Sequence, residues 1–175
     1  MKSRFPCDTM IEIEKTQIRR ARPNEADLLT NLALESKGYW GYPEDFITAC
    51  RKELTLTPDY LTDSRRSVFV AEIDEAILGL YALERLSAVE QELGLLFVAP
   101  GWIGAGIGRL LLAHARQRAA GMGARTILIQ GDPHADGFYR RAGARHIGER
   151  ESASIPGRRL PLYRLAINKG KPEGE

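Results

Sequence analysis

With 175 residues, 43% of them hydrophobic and 27% charged, the chain has an ordinary globular balance that excludes disordered and collagen-like classes. Its two cysteines, Cys7 and Cys50, exclude a disulfide framework and suit a reducing cytosol. The net charge of +2 hides an asymmetry, because residues 1–99 hold 12 Lys/Arg against 17 Asp/Glu while residues 100–175 hold 13 against 6.

A basic second half suits either an anionic partner or a solvated arginine surface. No stretch approaches the length of a membrane span, and residues 1–15 alternate charges where a signal peptide would be apolar. The expectation is a soluble, cytoplasmic protein without a membrane partner. Residues 1–15 read as a polar, mobile lead-in, 16–167 as one domain, and 168–175 as a disordered tail.

A first strand is expected at Thr16–Ala21. Pro23 then opens a helix with Glu25 and Asp27 in its first turn and an apolar face of Leu28, Leu29, Leu32 and Ala33, ending near Gly38. An aromatic loop, Tyr39-Trp40-Gly41-Tyr42-Pro43, leads to a second helix over about Glu44–Leu54. Strands follow at Ser67–Ile73, Ala76–Glu84 and Glu90–Val98, the first two joined by a tight turn at Asp74-Glu75. A helix is expected over Ile103–Ala120, a short buried strand at Arg125–Gln130, a helix at Ala135–Ala142, and closing strands at about Arg145–Glu151 and Leu160–Ile167. This order predicts an α/β layer fold on one central mixed sheet.

The most informative segment runs from Leu96 to Arg109. A strand ends at Val98, and Gly104-Ala105-Gly106-Ile107-Gly108 opens a helix. Glycines at alternate positions leave amides bare at a helix N-terminus, where the helix dipole and open donors favour phosphate oxygens. Close packing alone would explain such glycines equally well. The spacing fits neither a dinucleotide fold nor a P-loop, since Arg109 follows Gly108 and no Gly-Lys-Ser/Thr is present.

This turn resembles that of the GNAT superfamily of acyl-CoA-dependent N-acyltransferases, Arg/Gln-x-x-Gly-x-Gly/Ala after an apolar-aromatic-Val-x-Pro strand end. Here the strand end is Leu96-Phe97-Val98-Ala99-Pro100, the motif glycines are Gly106 and Gly108, and Ile103 replaces the usual Arg or Gln. Downstream, Asp132 to Ala144 resembles the family's Asn-x-x-Ala-x-x-Phe-Tyr-x-x-x-Gly-Phe segment through Ala135, Phe138, Tyr139 and Gly143. Asp132 replaces Asn and Ala144 an aromatic.

The resemblance implies a sheet of about seven strands splayed in the middle and flanked by about four helices. It implies an enzyme that transfers an acetyl group from acetyl-CoA to a primary amine by direct attack in a ternary complex, or else a non-catalytic acyl-CoA-binding module. It further implies that Phe97, Val98, Ile103, Gly104, Ala105, Gly106, Ile107, Gly108, Arg109, Asp132, Phe138 and Tyr139 hold acetyl-CoA. Arg140 and Arg141 are additional phosphate candidates. Tyr139 is then the general acid for the departing thiolate, and Glu92 a candidate general base, with Glu84 and Glu90 as competitors. Trp40 and Tyr42 fall where relatives line the acceptor pocket, and the turn Ser154–Arg159 is a second candidate there. Homodimers are common in the family.

Other chemistries find little support. His114, His134 and His146 lack metal-ligand spacing, so no metal is expected. Neither a Gly-x-Ser-x-Gly elbow nor a nucleic-acid-binding motif is present. The acceptor's identity is not encoded in any motif.

Overall fold

Residues 13–167 are described in a computed structural model. Residues 1–12, with Cys7 and most of the expected lead-in, and residues 168–175, the expected tail, lie outside the described residues. Among the described residues no helix is long and apolar enough to cross a membrane.

Seven strands form one sheet: β1 (Gln17–Arg20), β2 (Arg66–Ile73), β3 (Ala76–Arg85), β4 (Glu90–Val98), β5 (Thr126–Gln130), β6 (Arg145–Glu151) and β7 (Arg159–Ala166). Their spatial order is β1-β2-β3-β4-β5-β7-β6, with every neighbouring pair antiparallel except β4–β5. A parallel pair needs a crossover, and helix α4 (Ile107–Gly121) supplies it. The remaining helices are α1 (Ala26–Gly38), α2 (Glu44–Leu54), α3 (Pro58–Thr62) and α5 (Asp136–Arg141).

Strand alternation divides the core in two. Phe69, Ala71, Tyr81 and Leu83 face α4 and α5, together with Ile127, Ile129 and Tyr163. Val68, Val70, Leu80 and Ala82 face α1 and α2, with Leu29, Ala33, Cys50 and Leu54. The sheet is thus a wall between two helical layers, and anything passing between the layers needs an opening in it.

Three differences from the sequence reading have local causes. The crossover helix begins at Ile107 instead of Ile103, because Gly104 and Gly106 take φ of +86° and +105°, which a right-handed helix cannot hold. The expected Ala135–Ala142 helix is divided: Pro133–Ala135 forms a 3₁₀ turn capped by the Asp132 side chain, and α5 occupies Asp136–Arg141. Helix α3 adds a fifth helix to the expected four. It is a single turn with Pro58 at its first position and Thr57 Oγ1 accepting from Tyr60 N–H.

Candidate active site

The opening in the wall is made by a bulge. Ala82 pairs with Leu95 but Leu83 pairs with Leu93, so Gly94 is an extra residue in β4. A bulge bends its strand and ends regular pairing. Here β4 and β5 are paired only up to Leu93↔Ile129, and from Gly94 onward β4 follows β3 alone. The bulge also resets alternation. Leu93 faces α4, whereas Leu95 and Phe97 face α1 and α2, and Leu96 and Val98 face α4 again.

The gap has unpaired backbone along one edge. Ala99 N–H donates to Leu78 O at 2.8 Å, so alternation turns the amides of Leu96 and Val98 away from β3, toward the gap. Phe97, a candidate acetyl-CoA contact, by the same alternation turns its amide to β3, and it lines the cleft. A cleft of about 1440 Å³ runs through the gap, reaching Gly106 and Arg109 on one side of the sheet and Lys37, Trp40 and Arg158 on the other.

On the α4 side, the turn before the helix leaves donors open. Ile103 N–H bonds to Pro100 O and Ala105 N–H to Trp102 O, and the first helical bond is Leu110 N–H to Gly106 O. Among the described residues nothing accepts from the amides of Gly104, Gly106, Ile107, Gly108 or Arg109. Packing does not require a glycine at 108, since a Cβ there would meet Phe138 Cε2 at 3.4 Å, an ordinary contact distance. Arg109, Arg116 and Arg141 line this arm, while Arg140 points elsewhere, paired with Asp136 at 3.0 Å.

Tyr139 stands at the gap on α5, with 6% of its surface exposed. Its ring packs against Tyr163 (centroids 5.6 Å apart) and Phe138 (5.1 Å). Burial, then the nearby Tyr163 and Asp132, hold its hydroxyl above the usual tyrosine pKa, so it stays protonated at neutral pH. Burial and then a hydrogen bond to Asp136 push Tyr163 up to about 12.

The other arm carries a polar cluster that the residue types alone do not reveal. Lys37 Nζ meets Asp132 Oδ2 at 2.6 Å, the Tyr42 hydroxyl donates to the same carboxylate at 3.0 Å, and His134 N–H donates at 3.0 Å. Burial alone would raise the Asp132 carboxyl, but the Lys37 hydrogen bond, the His134 amide, the Lys37 charge and Tyr42 together hold it below its ordinary value. Asp132 is therefore committed to neighbours within the protein. Trp40 lines the cleft, stacked on His134 with centroids 5.0 Å apart.

Glu92 lies on the α1–α2 side of β4, beside the gap. Arg150 Nη1 reaches both Glu92 Oε1 at 2.6 Å and Gln130 Oε1 at 3.2 Å. Its competitor Glu84 is paired with Arg66 at 3.3 Å, and Glu90 accepts from Thr126 and pairs with Arg164. Lys37, Gly94, Gly131 and Arg150 were not singled out by sequence. Arg158 belongs to the Ser154–Arg159 turn, which was.

Residues 36–154 match the model of the acetyltransferase (GNAT) domain family. The chain is 33% identical over 95 residues to an uncharacterized N-acetyltransferase of Mycobacterium tuberculosis (strain ATCC 25618 / H37Rv), covering 53% of this chain and 61% of that relative. It spans less than two thirds of the relative's length. Among solved structures it is similar to the PaiA N-acetyltransferase of Thermoplasma acidophilum in complex with coenzyme A (TM-score 0.72, 19% identity, 86% of this chain and 98% of that one). It is also similar to an aminoglycoside 6'-N-acetyltransferase complexed with coenzyme A (TM-score 0.68, 16% identity, 90% and 99%). At these identities the two structures show the shared fold.

Proposed function

The chain belongs to the GNAT acetyltransferase family, and from that membership we propose that it transfers an acetyl group from acetyl-CoA to a primary amine. The observation that carries this reading is the bulged gap at Gly94, flanked by free backbone donors on β4 and leading to the turn before α4, where the amides of Gly104, Gly106, Gly108 and Arg109 have no acceptor among the described residues. The two solved neighbours that contain coenzyme A support the choice of donor.

Acetyl-CoA supplies an activated acyl group, leaving the protein to position it and manage charge and protons. The amides of Gly104, Gly106, Gly108 and Arg109, all on the cleft lining, suit its diphosphate, while Ile107 is fully buried; Arg109, Arg116 and Arg141 add charge. The Leu96 and Val98 amides suit the pantetheine chain and the acyl carbonyl, whose developing negative charge they would stabilise.

The amine reaches the gap from the α1–α2 side. Its nitrogen attacks the thioester carbon, the C–S bond breaks, and the sulfur leaves as thiolate. Tyr139 is the group suited to hydrogen-bond that sulfur, since burial keeps its proton in place. The attacking nitrogen must lose a proton, and Glu92 is the carboxylate beside the gap on that side. Its ion pair with Arg150 is a competing commitment that the base role has to overcome.

Calorimetric titration with acetyl-CoA, joined to a thiol-release assay over a pooled amine library, tests the reading. Binding with release on some amine is the expected result. Binding with no release on any amine would favour a non-catalytic acyl-CoA module, and no binding would end both readings.

A further inference from the structure

Arg158 is a largely buried cation whose guanidinium is only partly hydrogen-bonded within the protein. Its guanidinium lies over the Phe46 ring at 4.8 Å and the Tyr42 ring at 5.2 Å, and Nη2 donates to the Tyr42 hydroxyl at 2.8 Å. The side chain is 19% exposed. Its sole carboxylate neighbour within 4 Å among the described residues is Asp132, at 3.8 Å. That carboxylate is already filled by Lys37, the Tyr42 hydroxyl and the His134 amide. Two cations therefore share one carboxylate on the α1–α2 side of the cleft.

The other nearby acids are turned to different tasks. Glu53 accepts from the Ser154 hydroxyl, Glu151 accepts from Gly157 N–H at 2.9 Å, and Glu92 pairs with Arg150. Among the described residues nothing accepts from Nε or Nη1 of Arg158, and the side chain lines the cleft.

The loop that presents this arginine is braced. Ser152 N–H donates to Arg158 O at 2.7 Å, and Ser152 Oγ accepts from the amides of Ser154 and Ile155. A guanidinium packed over two aromatic rings, with Nε and Nη1 unengaged among the described residues at a cleft wall, can recognise a two-oxygen anion by paired hydrogen bonds.

We propose that Arg158 binds a carboxylate carried by the amine acceptor, so that the acceptor class is a free amino acid and not a simple amine or polyamine. This rests on the acetyltransferase reading above. The carboxylate seats on Arg158, on the α1–α2 side, while the amino group faces the gap where Glu92 and the β4 edge lie. Tyr42 holds the guanidinium in place, its ring 5.2 Å from Arg158 Cζ and its hydroxyl accepting from Nη2.

The test compares matched ligands on the wild-type chain and on Arg158→Gln, with coenzyme A present. The panel holds the common amino acids, their amides, the corresponding decarboxylated amines, spermidine and O-phosphoethanolamine, read by calorimetry and by thiol release from acetyl-CoA. At least one amino acid is expected to bind the wild-type chain about tenfold or more tighter than its amide. Arg158→Gln should bring that ratio near one, Arg158→Lys should restore part of it, and coenzyme A affinity should stay unchanged in both variants.

Equal or better binding of amides, amines or spermidine overturns the proposal, as does a preference for the phosphate monoester. Coenzyme A binding without measurable binding of any amino acid overturns it too. Failure of coenzyme A and acetyl-CoA to bind the wild-type chain would instead strike the acetyltransferase reading. The amino-acid-to-amide ratio, measured by calorimetry without coenzyme A, would then decide the carboxylate site alone.

Discussion

Gly131 and Tyr139 are fitted to one another: a Cβ on Gly131 would stand 3.1 Å from Tyr139 Cε2 and 3.2 Å from Cδ2, with Tyr163 Cε2 at 3.0 Å on its other side. The residue that follows β5, still bonded to Pro161 O of β7 at 3.0 Å, thus also makes room for the ring at the gap. Two aromatic rings cannot both retreat inside a packed core.

Gly131→Ala should therefore overpack this corner. It is expected to cost about 1–3 kcal/mol in a denaturant melt and to lower kcat more than it weakens acetyl-CoA binding, because Tyr139 is displaced from the gap. Unchanged turnover would show that the ring's position is not needed.

Tyr139→Phe separates chemistry from packing. Among the described residues no group hydrogen-bonds the Tyr139 hydroxyl, so stability should change by less than about 1 kcal/mol. Turnover should fall on the order of 10²–10⁴-fold if the hydroxyl serves the leaving thiolate, with acetyl-CoA affinity kept. Burial holds this hydroxyl above its usual pKa of about 10. The wild-type rate should accordingly rise with amine deprotonation and show no falling limb below about pH 10.

Asp132 predicts how the fold responds to acid. Its folded-state carboxyl titrates below the unfolded value of about 3.9. Its contribution is then fully present above that pH and is lost as pH falls through the lower, folded value. Asp132→Asn should lower stability at pH 7 by about 1–3 kcal/mol by leaving Lys37 unpaired, and should flatten the pH dependence below about pH 4. Equal slopes of melting temperature against pH in the two proteins would contradict this.

Gly106→Ala tests backbone freedom apart from space. A Cβ there meets nothing nearer than Arg109 Nη2 at 3.8 Å, yet φ is +105°. The expected cost is conformational, about 1–2 kcal/mol. It should appear as a lower melting temperature and weaker acetyl-CoA binding as the open amides shift. A fully stable variant with normal affinity would refute the reading of this turn.

Much of the fold is legible in the sequence because strand alternation and helix punctuation are local signals. The Asp74-Glu75 turn is an example, both residues adopting positive φ as a tight hairpin requires. The segment Leu96–Arg109 identifies the α4 turn because the glycines and the strand end are contiguous. Gly94 escapes notice for the opposite reason: its bulge is defined by register against β3, which no single strand displays.

The acceptor side is less legible still. Lys37, Asp132 and Arg158 are separated by 95 and 26 positions; Lys37 alone reads as a surface charge, Asp132 as an acetyl-CoA contact and Arg158 as part of a turn, so no sequence signal joins the three. Only the meeting of α1, the turn after β5 and the β6–β7 loop makes them one cluster. The aromatic loop at Trp40 and Tyr42 and the Ser154–Arg159 turn are the two sequence signals that point toward it.

The most direct test of the central claim is an amide-resolved ¹⁵N NMR titration of the chain with acetyl-CoA. The largest changes should fall on Gly104, Gly106, Gly108 and Arg109, with Leu96 and Val98 following on the gap edge. Binding that moves other amides and leaves these unaltered would contradict the account.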